Sequence, residues 1–241
     1  MDLGLRDRLC IVTGASRGIG LATAEALEGE GARVLRLSRG EGFDVTAPDA
    51  GERLLERLDG APWALVNNAG SSKARGLDIG DDVWQEQWEL HVMAPMRLMR
   101  AVAPAMAGAG GGRIVNVSSS AGRRPSGRLD ASYSVTKAAQ LSLSRVFADA
   151  FAARGVLVNS VAPGPVEGQL WQGEGGLADQ IAERTGKTRD EVLEATRSSP
   201  PLGRMATDDE IASVIAFLCS EQASNVAGAT WAADGGSVPT V

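Results

Sequence analysis

A single tyrosine, a single histidine and two cysteines among 241 residues leave this chain few groups able to titrate or react near neutrality. One histidine argues against a zinc cluster, which draws on several His and Cys side chains. Cys10 and Cys219 stand far apart in apolar segments, the setting of buried reduced thiols rather than of a disulfide or a metal site. A basic excess is missing too. With 24 Lys and Arg against 30 Asp and Glu, the net charge of −6 excludes a protein that works by neutralising nucleic-acid phosphates. No run of about 18 apolar residues occurs, and Met1 to Arg8 carry acids where a leader would carry an apolar segment. A cytoplasmic location and no membrane partner are therefore expected.

What is present reads as one α/β domain over residues 1–241, with strands and helices in alternation. Leu9-Cys10-Ile11-Val12 is a short apolar run that ends in Thr13-Gly14-Ala15-Ser16-Arg17-Gly18-Ile19-Gly20, and a helical pattern follows from Leu21. Glycines at such a strand end let the backbone turn tightly and approach a pyrophosphate, whose charge the amides of the next helix stabilise. A second strand, Arg33 to Leu37, ends at Ser38-Arg39, with no carboxylate where an NAD site usually holds the ribose. Ser38, Arg39 and Arg17 offer instead a hydroxyl and two guanidinium groups suited to a 2′-phosphate, so the expected cofactor is NADP(H). Ala64-Leu65-Val66 forms a further strand running into Asn67-Asn68-Ala69-Gly70. Its small residues permit close approach to a ligand, and its amides can tie strand ends together. A long helix is expected from Asp82 to Met106. Arg113 to Val117 is another strand, delivering Ser118, Ser119 and Ser120 to the same sheet edge.

The only tyrosine lies in Tyr133-Ser134-Val135-Thr136-Lys137, at the head of a helical stretch that runs to Phe151. On a helix Tyr133 and Lys137 are neighbours one turn apart. An adjacent cation favours the phenolate, which moves an otherwise poor acid and base toward the working range.

Thr13 to Gly20, Asn67 to Gly70, the serines followed by Tyr133 and Lys137, and Pro163-Gly164 after the strand Val156 to Asn159 together resemble the short-chain dehydrogenase/reductase family, with 3-oxoacyl-carrier-protein reductases among the similar members. The resemblance runs over almost the whole chain. It implies a Rossmann-type doubly wound parallel sheet and hydride transfer between NADP(H) and a carbonyl or secondary alcohol substrate. It also implies a homotetramer. By the same resemblance Tyr133 is the general acid/base, Lys137 holds the nicotinamide ribose and lowers the tyrosine's pKa, and Ser119 hydrogen-bonds the substrate oxygen. Ser119 is chosen over Ser120 because it precedes Ser120-Ala121-Gly122 in the family's pattern. Cofactor contacts are implied for Gly14, Ser16, Arg17, Gly18, Ile19, Gly20, Ser38, Arg39, Asp44, Val45, Asn68, Ala69, Gly70, Tyr133, Lys137, Pro163, Gly164 and Val166.

This sequence departs from the family in four places. His91 stands where the family carries an asparagine whose main-chain carbonyl serves the proton relay; His91 is placed with the catalytic set, although a lone histidine on a mixed helix face is more often structural. Gly168 stands where a threonine often contacts the carboxamide. The loop Arg123 to Ser132 is one residue longer than usual. Between Arg39 and Asp44 only four residues remain, too few for the about dozen a parallel crossover needs. The expectation is that the helix between the second and third strands is lost, that the third strand is vestigial, and that Asp44 still stands beside the adenine. Residues 168–200 read as a substrate lid with helices over Leu177 to Arg184 and Val192 to Ala195, the second opened by a capping box at Thr188, and a second capping box at Thr207 starts a helix through Leu218. Nothing in them identifies an acyl carrier. The alternative to an enzyme is a catalytically weak NADP-binding protein with a regulatory or interaction role.

Overall fold

The computed structural model describes residues 2–127 and 130–239. Six parallel strands, β1 (Leu9–Thr13), β2 (Arg33–Leu37), β3 (Ala64–Asn67), β4 (Gly112–Val117), β5 (Val156–Pro163) and β6 (Thr230–Ala233), form one sheet in the order β2-β1-β3-β4-β5-β6. Parallel strands need covered crossovers, which the chain supplies with α1 (Gly18–Gly29), α2 (Ala50–Leu55), α3 (Asp81–Trp88), α4 (Ala94–Gly108), α5 (Ser120–Arg123), α6 (Ala131–Phe151), α7 (Gln169–Gln172), α8 (Leu177–Thr185), α9 (Arg189–Ser198) and α10 (Asp208–Cys219). Successive strand residues point to opposite faces. Cys10, Val12 and Val66 thus pack with Ala24 and Leu27 of α1 and Ile215 of α10, while Ile11, Leu65 and Ile114 pack with Leu54 of α2 and Leu98 and Met99 of α4. The strand order reverses between β1 and β3, and the carboxyl ends of strands at such a switch point open into the ligand crevice of an open α/β sheet.

The shortened segment after β2 behaves as its length requires. Arg39–Glu41 make a single 3-10 turn closed by Gly42 at φ +72°, and Phe43 and Val45 then drop into the core. Among the described residues no third strand forms at Asp44-Val45, so β2 is the sheet edge. Charged side chains guard that edge against pairing: Arg33 bonds Asp59 and Arg36 bonds Glu28.

Elsewhere the elements extend beyond their expected bounds. The long helix runs from Asp81 to Gly108 and contains one π turn, Glu89–Met93, between α3 and α4. The expected lid helices are α8 and α9, with α7 an additional turn before them; both capping boxes, at Thr188 and Thr207, are closed. Arg128 and Leu129 of the extended loop lie outside the described residues.

α6 turns a polar face to the core. Its apolar Val135 and Val146 face solvent, whereas Ser132, Thr136, Gln140 and Ser144, spaced by four on one face, are buried. A polar stripe can enter a core only if its groups find partners, and in this one all but Gln140 Nε2 do. The Ser144 hydroxyl donates to the Gln140 carbonyl and accepts from Asn116 Nδ2 at 2.8 Å and Ser160 Oγ at 2.8 Å, and Asn116 Oδ1 accepts from Asn67 Nδ2 at 2.8 Å. This chain of amides and hydroxyls joins β3, β4, β5 and α6 at fixed distances beneath the crevice. Asn116→Leu leaves the Asn67 side-chain amide without its acceptor in a dry site and takes from the Ser144 hydroxyl one of its two donors. It should cost about 2–4 kcal/mol and lower the melting temperature by roughly 5–12 °C in a thermal unfolding scan; an unchanged midpoint would mean the network contributes nothing.

Candidate active site

The glycine turn after β1 is shaped by contacts that exclude side chains. Gly14 and Gly18 sit at φ +67° and +58°, where L-residues are strained. A Cβ on Gly20 would collide with the Gly14 carbonyl oxygen and the Asn68 amide. The turn is also tied to the end of β3: Thr13 Oγ1 accepts from the amides of Asn68 and Ala69, each at 3.0 Å, and Asn68 Nδ2 donates to the Thr13 carbonyl at 3.0 Å. α1 opens at Arg17 with no side-chain cap and no acid in its first turn. Its first amides are therefore available to an anion, as they are at phosphate-binding helix ends. Ser16 and Arg17 are exposed beside them, with Ile19 half-buried.

At the end of β2, Arg39 is exposed and Ser38 is buried. The 3-10 turn brings back an acid that sequence reading missed: Ser38 Oγ donates to Glu41 Oε2 at 3.1 Å. A carboxylate does stand at this strand end, three residues on, because the short segment folds it there. Asp44 spends its carboxylate on the amide and hydroxyl of Thr46, at 2.9 and 2.7 Å, and those bonds hold it below the usual carboxylate range. Val45 is buried against the core rather than lining the surface.

Ser119, Tyr133 and Lys137 meet at the carboxyl end of β4. Ser119 caps α5, accepting from the Ala121 amide at 3.1 Å, and its hydroxyl stands near enough to the Tyr133 phenol to favour the phenolate. Ser120 lies within α5, so Ser119 is the serine that reaches the tyrosine. α6 begins at Asp130, whose carboxylate accepts from the Tyr133 amide at 3.0 Å and Ser132 Oγ at 2.8 Å and reaches across to the Lys73 amide at 3.1 Å. Gly122 is required because a Cβ there would press on the Lys137 carbonyl group at 2.7 Å. Lys137 itself is buried. Its Nζ donates to the Val117 carbonyl at 2.7 Å and to Gln140 Oε1 at 3.1 Å, and burial lowers its pKa to about 7.

The expected depression of the tyrosine's pKa is not what this arrangement produces. Burial pushes the Tyr133 phenol above its ordinary value, and the Asp130 charge adds to that, against the opposing Ser119 hydroxyl. The Lys137 ammonium lies 5.7 Å from the phenol ring centre, with two of its donors committed to the sheet and to Gln140.

His91 sits in the π turn, fully buried, edge-on to Tyr133 at 5.3 Å between ring centres. Thr136 Oγ1 points its one proton at the Ser132 or Tyr133 carbonyl, at 2.8 and 3.1 Å, so at 2.9 Å it accepts from Nδ1–H of His91. Nε2 accepts from the Ser71 amide at 3.3 Å. Both ring nitrogens are engaged and the ring is neutral, which braces the loop after β3 against α6. Burial, with the Lys137 charge adding to it, holds the imidazole well below its ordinary range. The neutral form is thus favoured on folding, and its contribution to stability is present above the ordinary histidine value near pH 6.5 and lost as the pH falls below it. Unfolding measured from pH 7.5 to 5 should lose up to about 1.4 kcal/mol per pH unit from this group, and His91→Gln should remove that slope; an identical slope in the variant would place the titration elsewhere.

Pro163, Gly164 and Val166 leave β5 along a path fixed by backbone bonds. Gly164 donates to the Ala233 carbonyl at 3.1 Å and packs too closely on Asp234 for a side chain, and Val166 pairs with Ala206. Gly168 follows at φ +149°, a conformation closed to threonine, so this chain has a turn where its relatives' pattern has a hydroxyl.

A family profile described as enoyl-(acyl carrier protein) reductase matches residues 42–238. A galactitol 2-dehydrogenase of Agrobacterium fabrum is 31% identical over 97% of this chain and 98% of its own. A 3-oxoacyl-[acyl-carrier-protein] reductase of Vibrio cholerae is 32% identical over 97% and 98%. The crystal structure of L-sorbose reductase from Gluconobacter frateurii, complexed with NADPH and L-sorbose, superposes with a TM-score of 0.88 at 30% identity and covers 100% of both chains. The chain belongs to the short-chain dehydrogenase/reductase family and is a NAD(P)-dependent oxidoreductase, similar to the 3-oxoacyl-carrier-protein reductases. Among the described residues no helix is long and apolar enough to cross a membrane.

Proposed function

We propose that this protein transfers hydride between NADP(H) and the carbonyl or secondary alcohol carbon of a small substrate, with Ser119, Tyr133 and Lys137 handling the proton. The observation that carries the reading is the convergence of these three side chains at the carboxyl end of β4, in the crevice that also holds the uncapped start of α1.

The residues fit the cofactor. The uncapped amides of α1 and the glycine turn suit a pyrophosphate, and Arg17 and Arg39 suit a 2′-phosphate, with the exposed Glu41 free to turn away from Ser38. When bound, the nicotinamide supplies or accepts the hydride. In the reductive direction Tyr133 gives its proton to the substrate oxygen, Ser119 donates a hydrogen bond to that oxygen, and the Lys137 ammonium stabilises the phenolate left behind. The phenol's elevated pKa in the free protein keeps it protonated and ready to donate. His91 acts by position, holding the 71-loop and α6 in register, while the π turn keeps the helix distorted at the point where the family places its relay carbonyl.

Residues 168–200 serve as the lid. α8 is tied to the loop after β3 through Gln180, which accepts from the Ala74 amide at 2.8 Å, and Arg184, which donates to the Ala74 carbonyl at 2.6 Å. Lid and loop would thus respond together to a substrate. Dehydrogenases and reductases of sugars and polyols among the similar proteins, and the absence of any basic run to receive an acidic carrier protein, favour a polyhydroxy carbonyl compound over an acyl-carrier substrate. The solvent-facing Val135 and Val146 of α6 fit burial between subunits of a homotetramer.

A panel of ketoses, polyols and 3-oxoacyl thioesters, followed at 340 nm with NADPH and NADH in parallel, tests the reading; the weakly catalytic alternative requires that none turns over. Tyr133→Phe should reduce turnover by about 100-fold or more while NADPH binding is kept, because only the transferable proton is lost; full activity would refute the assigned role. Arg39→Ala should raise the Michaelis constant for NADPH about tenfold and barely change that for NADH, and equal effects on both would remove Arg39 from the 2′-phosphate.

A further inference from the structure

We propose that Gln140 is a positioning residue for the Lys137 ammonium: its side-chain oxygen, together with the Val117 carbonyl, holds that cation beside Tyr133 and keeps it charged. The inference rests on the hydride-transfer function proposed above.

Gln140 follows Lys137 by three residues, so their side chains share a face of α6. Oε1 stands 3.1 Å from Nζ, and neither residue is exposed by more than 3%. No carboxylate among the described residues lies within ion-pair distance of this lysine. The titratable groups around it are accounted for: His91 from the π turn is neutral, Tyr133 is one turn away on α6, and Asp130 is committed to the start of that helix and to Lys73. From β4 the Val117 carbonyl meets the ammonium. Among the described residues the buried ammonium thus has two neutral oxygen acceptors, one of them a side chain, with the Tyr133 ring centre 5.7 Å away. A hydrogen bond to the charged form favours it against desolvation.

The other end of the amide strengthens the case. Gln140 Nε2 is buried with no partner among the described residues. An unpartnered donor in a dry site is a loss that leucine or methionine of similar volume would not carry. The amide is therefore explained by its oxygen. Its position also leaves one Lys137 donor uncommitted, as a residue that must hold a ligand hydroxyl requires.

Gln140→Met keeps the reach and removes the acceptor; Gln140→Glu adds a carboxylate. The chain has three lysines, and Lys73 and Lys187 are exposed, so the side-chain carbon signals of lysine-labelled protein separate Lys137 without any need for turnover. The parent signal should titrate near 7, lower by about one pH unit in Gln140→Met and higher in Gln140→Glu, since a bond to a charged group is worth roughly a factor of ten. The fall in the reductive kcat as the pH rises should move in the same two directions, with the Met variant melting no lower than the parent. A Lys137 titration unmoved in both variants overturns the proposal. So does a titration that moves while the rate profile stays put, and so does a Met variant that loses activity uniformly with pH together with its melting temperature. An inactive parent with a shifted lysine titration would instead contradict the hydride-transfer reading and leave the Lys137–Gln140 pairing standing.

Discussion

A buried ammonium pinned to the end of a central strand is the constraint on which the rest of this site depends. The Lys137 bond to the Val117 carbonyl, with the Ser118 hydroxyl returning a bond to the Lys137 carbonyl at 2.9 Å, locks the first turns of α6 to the last residue of β4. That lock sets how far Tyr133 can stand from Ser119, and it explains why glycine is needed at 122, where α5 passes against the lysine's own backbone. Removing the charge from water is costly. The cost is met by close neutral acceptors, and it leaves the lysine's pKa near 7, so the group is poised between its two forms at neutral pH.

The same economy of charge runs along the buried face of α6. Thr136 and Ser144 meet partners from other elements, His91 in the π turn and the Asn116–Ser160 pair on β4 and β5, while Ser132 and Gln140 bond along the helix itself, to Asp130 at its start and to Lys137. An apolar helix face would slide on its neighbours at small cost, whereas hydrogen bonds of 2.8–2.9 Å to those neighbours fix both register and rotation. Precision at the catalytic end is obtained by burying polar groups whose every misplacement is penalised. His91 belongs to this logic. It replaces the family's asparagine, keeps the helix distortion, and adds a neutral bridge to Ser71.

Much of the fold was legible because it rests on local signals: β-runs ending in glycine or serine, capping boxes at Thr188 and Thr207, and a segment after Arg39 too short for a crossover. Ser119, Tyr133 and Lys137 were legible because spacing on a helix and motif order place them. What escaped was set by tertiary contacts. The inward face of α6 could not be read from the apolar Val135 and Val146, since the buried residues are polar and their partners lie on other elements. Glu41 reached Ser38 only through a 3-10 turn that no periodicity announces. The Tyr133 shift was expected with the wrong sign for the free protein, because sequence shows the neighbouring cation but neither the burial nor the two acceptors that hold it.

The uniqueness of Tyr133 makes the central claim directly measurable. Protein labelled with 13C at the ring carbon bearing the tyrosine hydroxyl gives one signal, and its pH titration reports this phenol alone. The account predicts a pKa above that of free tyrosine in the unliganded protein and a fall of at least about one unit with NADP+ bound, when the cationic ring and the Lys137 charge both favour phenolate. A titration at the free-tyrosine value that is indifferent to the cofactor would contradict it.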